Sequence, residues 1–221
     1  MIEHNKRNEE SKLGFTLIEL LTVIAIIAVL AGILIPVIGS VRKNAQVAGS
    51  VANLKSLGQA FLLYTNEHGG RIFPMRGQEA DALAWHLYLL PYVDGDKAVF
   101  RSPGDPSDPE RVERTYRMNI SGGTGGYGGA DGRSLYNKYL SQILYPASTF
   151  LLLDISYVGS TAIPFEAQHT EIWWDDLDRQ IDSLPYVRTF GEDKQLALFL
   201  DGHVAAVEVP FDPNLFYYGI R

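Results

Sequence analysis

The sequence predicts an α+β fold, in which a long N-terminal helix packs on a small head containing an antiparallel β-sheet. Three observations predict it: a long apolar block near the N-terminus, an apolar stripe at helical spacing that continues from it, and two strand-like runs around an Asp-Gly pair near the C-terminus. Strands that follow helices, without alternating with them, indicate the α+β class. We expect four segments: residues 1–14, the block at 15–38, an amphipathic stem helix at 39–68, and a globular head at 69–221.

The composition excludes several kinds of site and partner. The 221 residues include 19 basic and 26 acidic side chains, for a net charge of -7, and Lys and Arg are nowhere clustered as nucleic-acid binding requires. There is no cysteine, which excludes disulfides, thiolate metal sites and cysteine nucleophiles. The length suits one globular domain with an anchor.

The block Phe15–Ile38 predicts a membrane-spanning helix. Its 24 residues carry one formal charge, Glu19, and as a helix they extend about 36 Å, more than a hydrocarbon core of about 30 Å. A secretory signal peptide has a shorter apolar region that ends in a small-residue site, whereas Arg42 and Lys43 follow here. A buried core helix is the other alternative, but so long an apolar run is rarely core.

Glu19 needs an explanation of its own. A carboxylate in a membrane segment costs about 2.5–3.5 kcal/mol, and such groups usually have a partner. The string Lys12–Leu21, KLGFTLIELL, resembles the processing site of type IV prepilins and type II secretion pseudopilins. In that family a membrane peptidase cuts after the glycine and methylates the new N-terminus. The resemblance implies cleavage between Gly14 and Phe15, with the preceding segment as a leader peptide.

The resemblance also implies a structural role and no enzyme activity. The Phe15 ammonium would pair with Glu19 of a neighbouring subunit, since two buried opposite charges are tolerable together. Pro36 matches a proline that bends or unwinds the same helix. The subunit would span the bacterial inner membrane once, with its head on the periplasmic or extracytoplasmic side.

Assembly partners follow from the same resemblance. They are the prepilin peptidase, further copies of this chain or other pilin-like subunits, and the inner-membrane assembly machinery. The product is a type IV pilus-like filament, which can reach the cell surface, or a type II secretion pseudopilus. The alternative is a membrane-tethered hydrolase, or a binding domain outside filaments, with Asp154, His169 and Asp201 as the candidate hydrolase residues.

An amphipathic stripe continues beyond the block. Its apolar members recur at steps of three and four residues: Val41, Ala45, Ala48, Val51, Leu54, Leu57, Phe61 and Tyr64. We expect this stem helix to pack on the head. It should end at His68-Gly69-Gly70, because glycine commonly terminates helices.

The head sequence predicts a helix and several strands. Glu79–Val93 predicts a helix interrupted near Pro91, and strands are expected at Arg114–Ile120 and Thr149–Asp154. Gln195–Val209 predicts a hairpin with a type I′ turn at its Asp-Gly pair. Both faces of the first hairpin strand are apolar, which places that strand in the core.

Two other segments predict contact surfaces. Gly122–Gly132 has seven glycines in eleven residues and lacks the context of a phosphate-binding loop. Within Glu166–Asp178, Asp175, Asp176 and Asp178 are candidates for binding calcium, but the pattern of an EF-hand loop is missing. The main expectation is therefore no metal and no cofactor.

Pieces of the head resemble a pilin-like group found in planctomycete and verrucomicrobial genomes. The pieces are Phe100–Pro106, Tyr116–Asn119, Thr149–Asp154 and Leu200–Val204. Members of the group often carry a histidine ten positions before the Asp-Gly pair and a cysteine where Ser102 stands. Gly191 occupies the first of these positions, so no role tied to that histidine carries over.

Overall fold

The computed structural model describes most of the N-terminal helix and much of the head. The described residues are 15–74, 84–105, 115–119, 135, 138–154, 156–157, 171–172, 186–187 and 194–208. The chain divides into two compact units, Met1–Lys43 and Asn44–Arg221.

Helix α1 runs from Leu17 to Glu67 and includes 51 residues. Its first part contains an 18-residue window with a mean hydropathy of 3.0, none of it buried, and among the described residues it is the one helix long and apolar enough to cross a membrane. The helix continues through Pro36. Of the two outcomes expected at this proline, an unwound turn is therefore absent, and a bend stays a prediction.

Burial of α1 begins later than the predicted stripe. Val41, Ala45 and Ala48 are exposed, and Ser50 is the first fully buried residue. The buried residues of the helix are Ser50, Leu54, Leu57, Gly58, Ala60, Phe61, Tyr64 and Thr65. Close packing starts at Gly49, where an added Cβ would lie 3.0 Å from Cγ of Pro103.

A buried cluster of hydroxyl groups, here called the hydroxyl seam, joins the stem to the head. It consists of Ser50, Ser102, Thr115 and Tyr116, all at most 3% exposed. The Ser50 and Ser102 hydroxyl oxygens lie 2.6 Å apart, and the Ser102 N–H donates to Oγ1 of Thr115 at 2.7 Å. Burial raises the pKa of the Tyr116 hydroxyl above its usual range, and the Asp154 carboxylate adds to that rise. Ser50, Ser102 and Thr115 are thus joined by hydrogen bonds, whereas the buried Tyr116 hydroxyl has no hydrogen-bond partner among the described residues.

The end of α1 is formed as predicted. Gly69 and Gly70 adopt φ values of +64° and +85°, which glycine tolerates without steric cost. The Gly70 N–H donates to the carbonyl of Thr65 at 2.6 Å, and the His68 N–H donates to that of Tyr64 at 3.0 Å. These bonds satisfy carbonyls at the helix end.

Short helices connect α1 to the sheet. Helix α2, Trp85–Leu89, leads directly into a 3-10 turn at Leu90–Val93. The change at Pro91 matches the predicted interruption, because proline cannot donate an interior helical hydrogen bond; residues 79–83 of the predicted helix lie outside the described residues. Three further 3-10 turns lie at Lys97–Phe100, Leu140–Gln142 and Pro146–Ser148.

The head contains an antiparallel sheet, as predicted. In chain order the strands are β1 (Tyr116–Asn119), β2 (Phe150–Asp154), β3 (Ser156–Tyr157), β4 (Glu171–Ile172), β5 (Tyr186–Val187), β6 (Lys194–Phe199) and β7 (Val204–Glu208). Strands β1, β2, β6 and β7 pair antiparallel in that order, β4 pairs parallel to β1 at one edge, and β3 pairs with β5 separately. The sequence did not predict β3, β4 or β5.

Strand β6 lies in the core, which confirms the prediction from its two apolar faces. Leu196, Ala197, Leu198 and Phe199 are each at most 6% exposed. A Cβ added to Gly58 of α1 would lie 2.8 Å from Cδ1 of Leu198. The stem helix therefore covers one face of the sheet at a position where only glycine fits without a shift.

The turn between β6 and β7 differs from the predicted type I′ turn. The Gly202 N–H donates to the Phe199 carbonyl, and the Phe199 N–H donates to the His203 carbonyl, both at 2.9 Å. Gly202 has a φ of +89°, whereas Asp201 is not in the positive-φ region that type I′ would require. The bonds define a three-residue loop ending in a left-handed glycine. Asp201 Oδ1 accepts the His203 N–H at 3.1 Å, which stabilises this alternative.

Candidate processing and assembly site

A capping box forms the N-terminus of α1. Thr16 precedes the first helical residue, Leu17, and its carbonyl accepts the N–H of Leu20 at 3.2 Å. The Thr16 hydroxyl oxygen accepts the Glu19 N–H at 3.3 Å, and Glu19 Oε2 accepts the Thr16 N–H at 2.8 Å. This reciprocal pair satisfies two backbone donors that have no partner inside the helix.

Glu19 therefore has a role within its own chain. Its Oε2 also accepts the Thr16 hydroxyl at 2.8 Å, whereas among the described residues Oε1 accepts no hydrogen bond. Sequence reasoning assigned Glu19 to assembly and missed Thr16. The spacing Thr-x-x-Glu before an apolar run is the signal that could have identified the cap.

The site places Phe15, Thr16 and Glu19 within one turn. The Phe15 side chain is 80% exposed. Gly14 lies outside the described residues, so the Gly14–Phe15 cleavage position stays a prediction. The helical hydrogen bonds begin at the Thr16 carbonyl, so the predicted cleavage point precedes every one of them.

Residues 11–35 match the family model described as Prokaryotic N-terminal methylation motif. The chain carries a prepilin-type signal. This signal is found in type IV pilins and pseudopilins, and in this chain the match includes Gly14, Phe15 and Glu19 and stops one residue before Pro36. Comparisons with curated proteins and with solved structures gave no match.

Outside the prepilin-type signal, the structure describes two of the candidate hydrolase residues, Asp154 and Asp201, and does not bring these two together. The register pairs Phe150 of β2 with Phe199 of β6, and Asp154 stands four residues from that end, about 13 Å along the strand. Asp201 lies in the loop just beyond Phe199. Asp154 is fully buried whereas Asp201 is exposed, and His169 lies outside the described residues.

Asp201 instead stabilises its own turn. Its Oδ1 lies 2.6 Å from Nδ1 of His203, whose ring stacks on Phe199 with a centroid distance of 4.3 Å. Partial burial of Asp201 opposes its ionisation, but the backbone and side-chain hydrogen bonds from His203 outweigh that effect and hold the pKa of the carboxyl below its ordinary value.

The calcium candidates Asp175, Asp176 and Asp178 lie outside the described residues, as do Gly122–Gly132 and most of Glu166–Asp178. In the part of the chain that the structure describes, no group of three or more His, Asp or Glu side chains is placed to hold a metal ion. Calcium binding and the two contact surfaces stay predictions.

Proposed function

We propose that this chain is a structural, non-enzymatic subunit of a pilin-like filament, anchored in the membrane by the first half of α1. The observation that carries the proposal is a prepilin-type signal on a capped helix start that leads directly into an unburied apolar helix. The signal supports a precursor processed by prepilin peptidase.

The surface of α1 before Lys43 supports an anchor. Each large apolar side chain there is at least 47% exposed. So large an exposed apolar surface is unfavourable in water and indicates contact with lipid or other protein. A helix that is apolar all round is suited to both environments, first the bilayer and then a bundle of copies.

The outward face of the stem helix supports contact with a second copy. Its exposed residues are Val41, Ala45, Ala48, Ala52, Lys55, Ser56, Gln59, Leu62, Leu63 and Asn66. An ordinary solvent-facing helix surface is rich in charge. Between Ala45 and Asn66 this face carries one charged side chain, Lys55, and the other exposed charges of the stem helix, Arg42, Lys43 and Glu67, lie near its two ends. Gln59, Leu62, Leu63 and Asn66 form an open and mostly apolar part of this face, which supports contact with apolar side chains of a neighbouring helix.

Glu19 supports assembly through its second oxygen. Cleavage after Gly14 creates an ammonium at Phe15. Because the cap occupies Oε2, Oε1 is available to the ammonium of a neighbouring subunit, and the two charges compensate each other in an apolar environment. Cleaved chains alone carry this ammonium, which couples processing to assembly.

Processing and assembly are tested together by expressing the chain with prepilin peptidase and with a catalytically inactive peptidase. We expect intact-mass measurement to show loss of residues 1–14 and gain of one methyl group with the active enzyme, and filaments by electron microscopy in that sample alone. A chain that keeps Met1 overturns the assignment. A processed chain that forms no filaments favours the binding-domain alternative.

Pilus and pseudopilus share this anchor. A neighbouring secretin gene with a secretion ATPase would indicate the pseudopilus, and a retraction ATPase would indicate the pilus.

A further inference from the structure

Two adjacent basic residues follow the apolar block of α1. Arg42 and Lys43 are both exposed. Between Glu19 and Glu67 the sequence contains no acidic residue, so neither basic side chain has a carboxylate at the three- or four-residue spacing that forms ion pairs on a helix. Their charges are uncompensated within their own helix.

The position of Arg42 and Lys43 along the helix predicts how deep they lie in a lipid bilayer. They lie four and five residues beyond Ile38, which at the helical rise is about 6–8 Å. The polar layer on each side of a bilayer is about 5–8 Å thick, from a total of about 40–45 Å and a hydrocarbon core of about 30 Å. When the block Phe15–Ile38 spans the hydrocarbon with a tilt that reduces its height from about 36 Å to about 30 Å, both side chains are level with the lipid phosphates.

The positive charges of Arg42 and Lys43 contrast with the net negative charge of the residues that follow them. Residues 44–221 contain 14 basic and 22 acidic side chains, for a net charge of -8, so an anionic membrane surface repels the head as a whole. Basic residues next to a span are also disfavoured on the non-cytoplasmic side. Two of them directly after the span, in a chain whose remaining residues are acidic overall, therefore indicate a local anionic partner.

We propose that Arg42 and Lys43 bind the phosphate groups of anionic phospholipids in the leaflet on the head side of the membrane. This inference rests on the proposed membrane anchor. A guanidinium binds a phosphate through two parallel hydrogen bonds, and the neighbouring ammonium adds a second positive charge. The pair holds the span at a fixed depth and gives the anchored subunit a preference for anionic lipid.

Native mass spectrometry of the full chain tests the proposal. The chain is released from nanodiscs of phosphatidylcholine mixed with phosphatidylglycerol, and the retained lipids are counted. Arg42→Gln/Lys43→Gln is compared with Lys55→Gln, which removes an exposed charge about 18 Å further along the same helix. A basic residue near an anionic surface contributes roughly 5-fold in affinity. We expect wild type and Lys55→Gln to retain phosphatidylglycerol preferentially, and the double variant to lose at least 5-fold of that preference.

An unchanged preference in the double variant overturns the proposal. If the double variant with this unchanged preference also self-associates more weakly in detergent, the pair is instead assigned to contact with a second copy. Alkaline extraction from vesicles distinguishes failure of the anchor itself. A chain released by alkali overturns the anchoring, whereas a chain that stays in the vesicles without lipid preference overturns this inference alone.

Discussion

The two halves of α1 are one helix with opposite environments. Before Lys43 the apolar side chains are exposed on every side, and from Ser50 onward one face is buried against the head while the other stays open. The glycines show the same contrast. A Cβ at Gly39 would meet nothing within 4 Å, whereas a Cβ at Gly58 would lie 2.8 Å from Leu198. An apolar sequence alone therefore does not predict which partner buries it. The second half is buried against its own head, whereas the exposed first half indicates contact with lipid or another chain.

The largest effect is expected in the core beneath the second half. Leu198→Asp places an unpaired charge on a fully buried strand, which should destabilise the head by more than about 4 kcal/mol. Urea unfolding of the detergent-solubilised chain, followed by tryptophan fluorescence, measures it. Leu63→Asp, at a position 53% exposed on the outward face, is the matched control and should leave the midpoint nearly unchanged. Similar losses in both variants would contradict the division into core and outer face.

The first half should affect assembly without affecting the head. Glu19→Gln keeps an oxygen that can accept the Thr16 N–H but removes the charge, so filament yield by sedimentation should fall more than tenfold at an unchanged unfolding midpoint. Thr16→Val removes the capping hydroxyl at a cost of about 1 kcal/mol and keeps the charge, so most assembly should remain. Normal assembly of Glu19→Gln would show that the carboxylate acts through the cap alone.

Two glycines of α1, Gly58 and Gly39, test the same contrast between the two halves of the helix. Gly58→Val should destabilise the head by about 2–3 kcal/mol, because an added Cβ would lie 2.8 Å from Cδ1 of Leu198 and 3.3 Å from the Gly202 carbonyl oxygen, so buried neighbours must move. Gly39→Val has open space around it and should leave unfolding of the head unaffected. Denaturation curves of the two variants side by side check this, and equal effects would refute it.

A smaller loss is expected at the hydroxyl seam. Ser50→Ala leaves the buried Ser102 hydroxyl without this partner, and an unsatisfied buried polar group costs about 1–3 kcal/mol. Ser50→Ala/Ser102→Ala removes both members, so its loss should be less than the sum of the single losses. A double-mutant cycle measures this, and strict additivity would show that the two hydroxyls do not interact.

The smallest effect is expected at the hairpin loop. Because the folded pKa of Asp201 lies below the ordinary value of an aspartate, its ionised form stabilises the fold above that ordinary pKa, and the contribution disappears as pH falls through the lower folded pKa. The side chain is partly exposed, so Asp201→Asn should cost less than about 1 kcal/mol at pH 7. The difference from wild type should vanish in acid; a difference that grows in acid would contradict the assignment.

Local patterns predicted much of the fold. The apolar block, the glycine stop after α1 and the two apolar faces of β6 each depend on neighbouring residues, and each appears as expected. Ser50 was missed because its buried contact is with Ser102, 52 residues away in sequence. Strands β3, β4 and β5 have two residues each, which is too short for an alternating pattern in the sequence. They are defined only by their pairing with other strands. The capping role of Thr16 could have been predicted from the Thr-x-x-Glu spacing, but Glu19 was explained through assembly and the local cap was missed.

The capping box has a consequence for the timing of processing. All helical hydrogen bonds of α1 lie at or beyond Thr16, so removal of the leader breaks none of them. In the proposed processing, precursor and product would share the same helix start, and no hydrogen bond of α1 would have to re-form after cleavage. Because peptide-bond cleavage is irreversible, the proposed mechanism would let the rate of cleavage set the supply of subunits that can assemble.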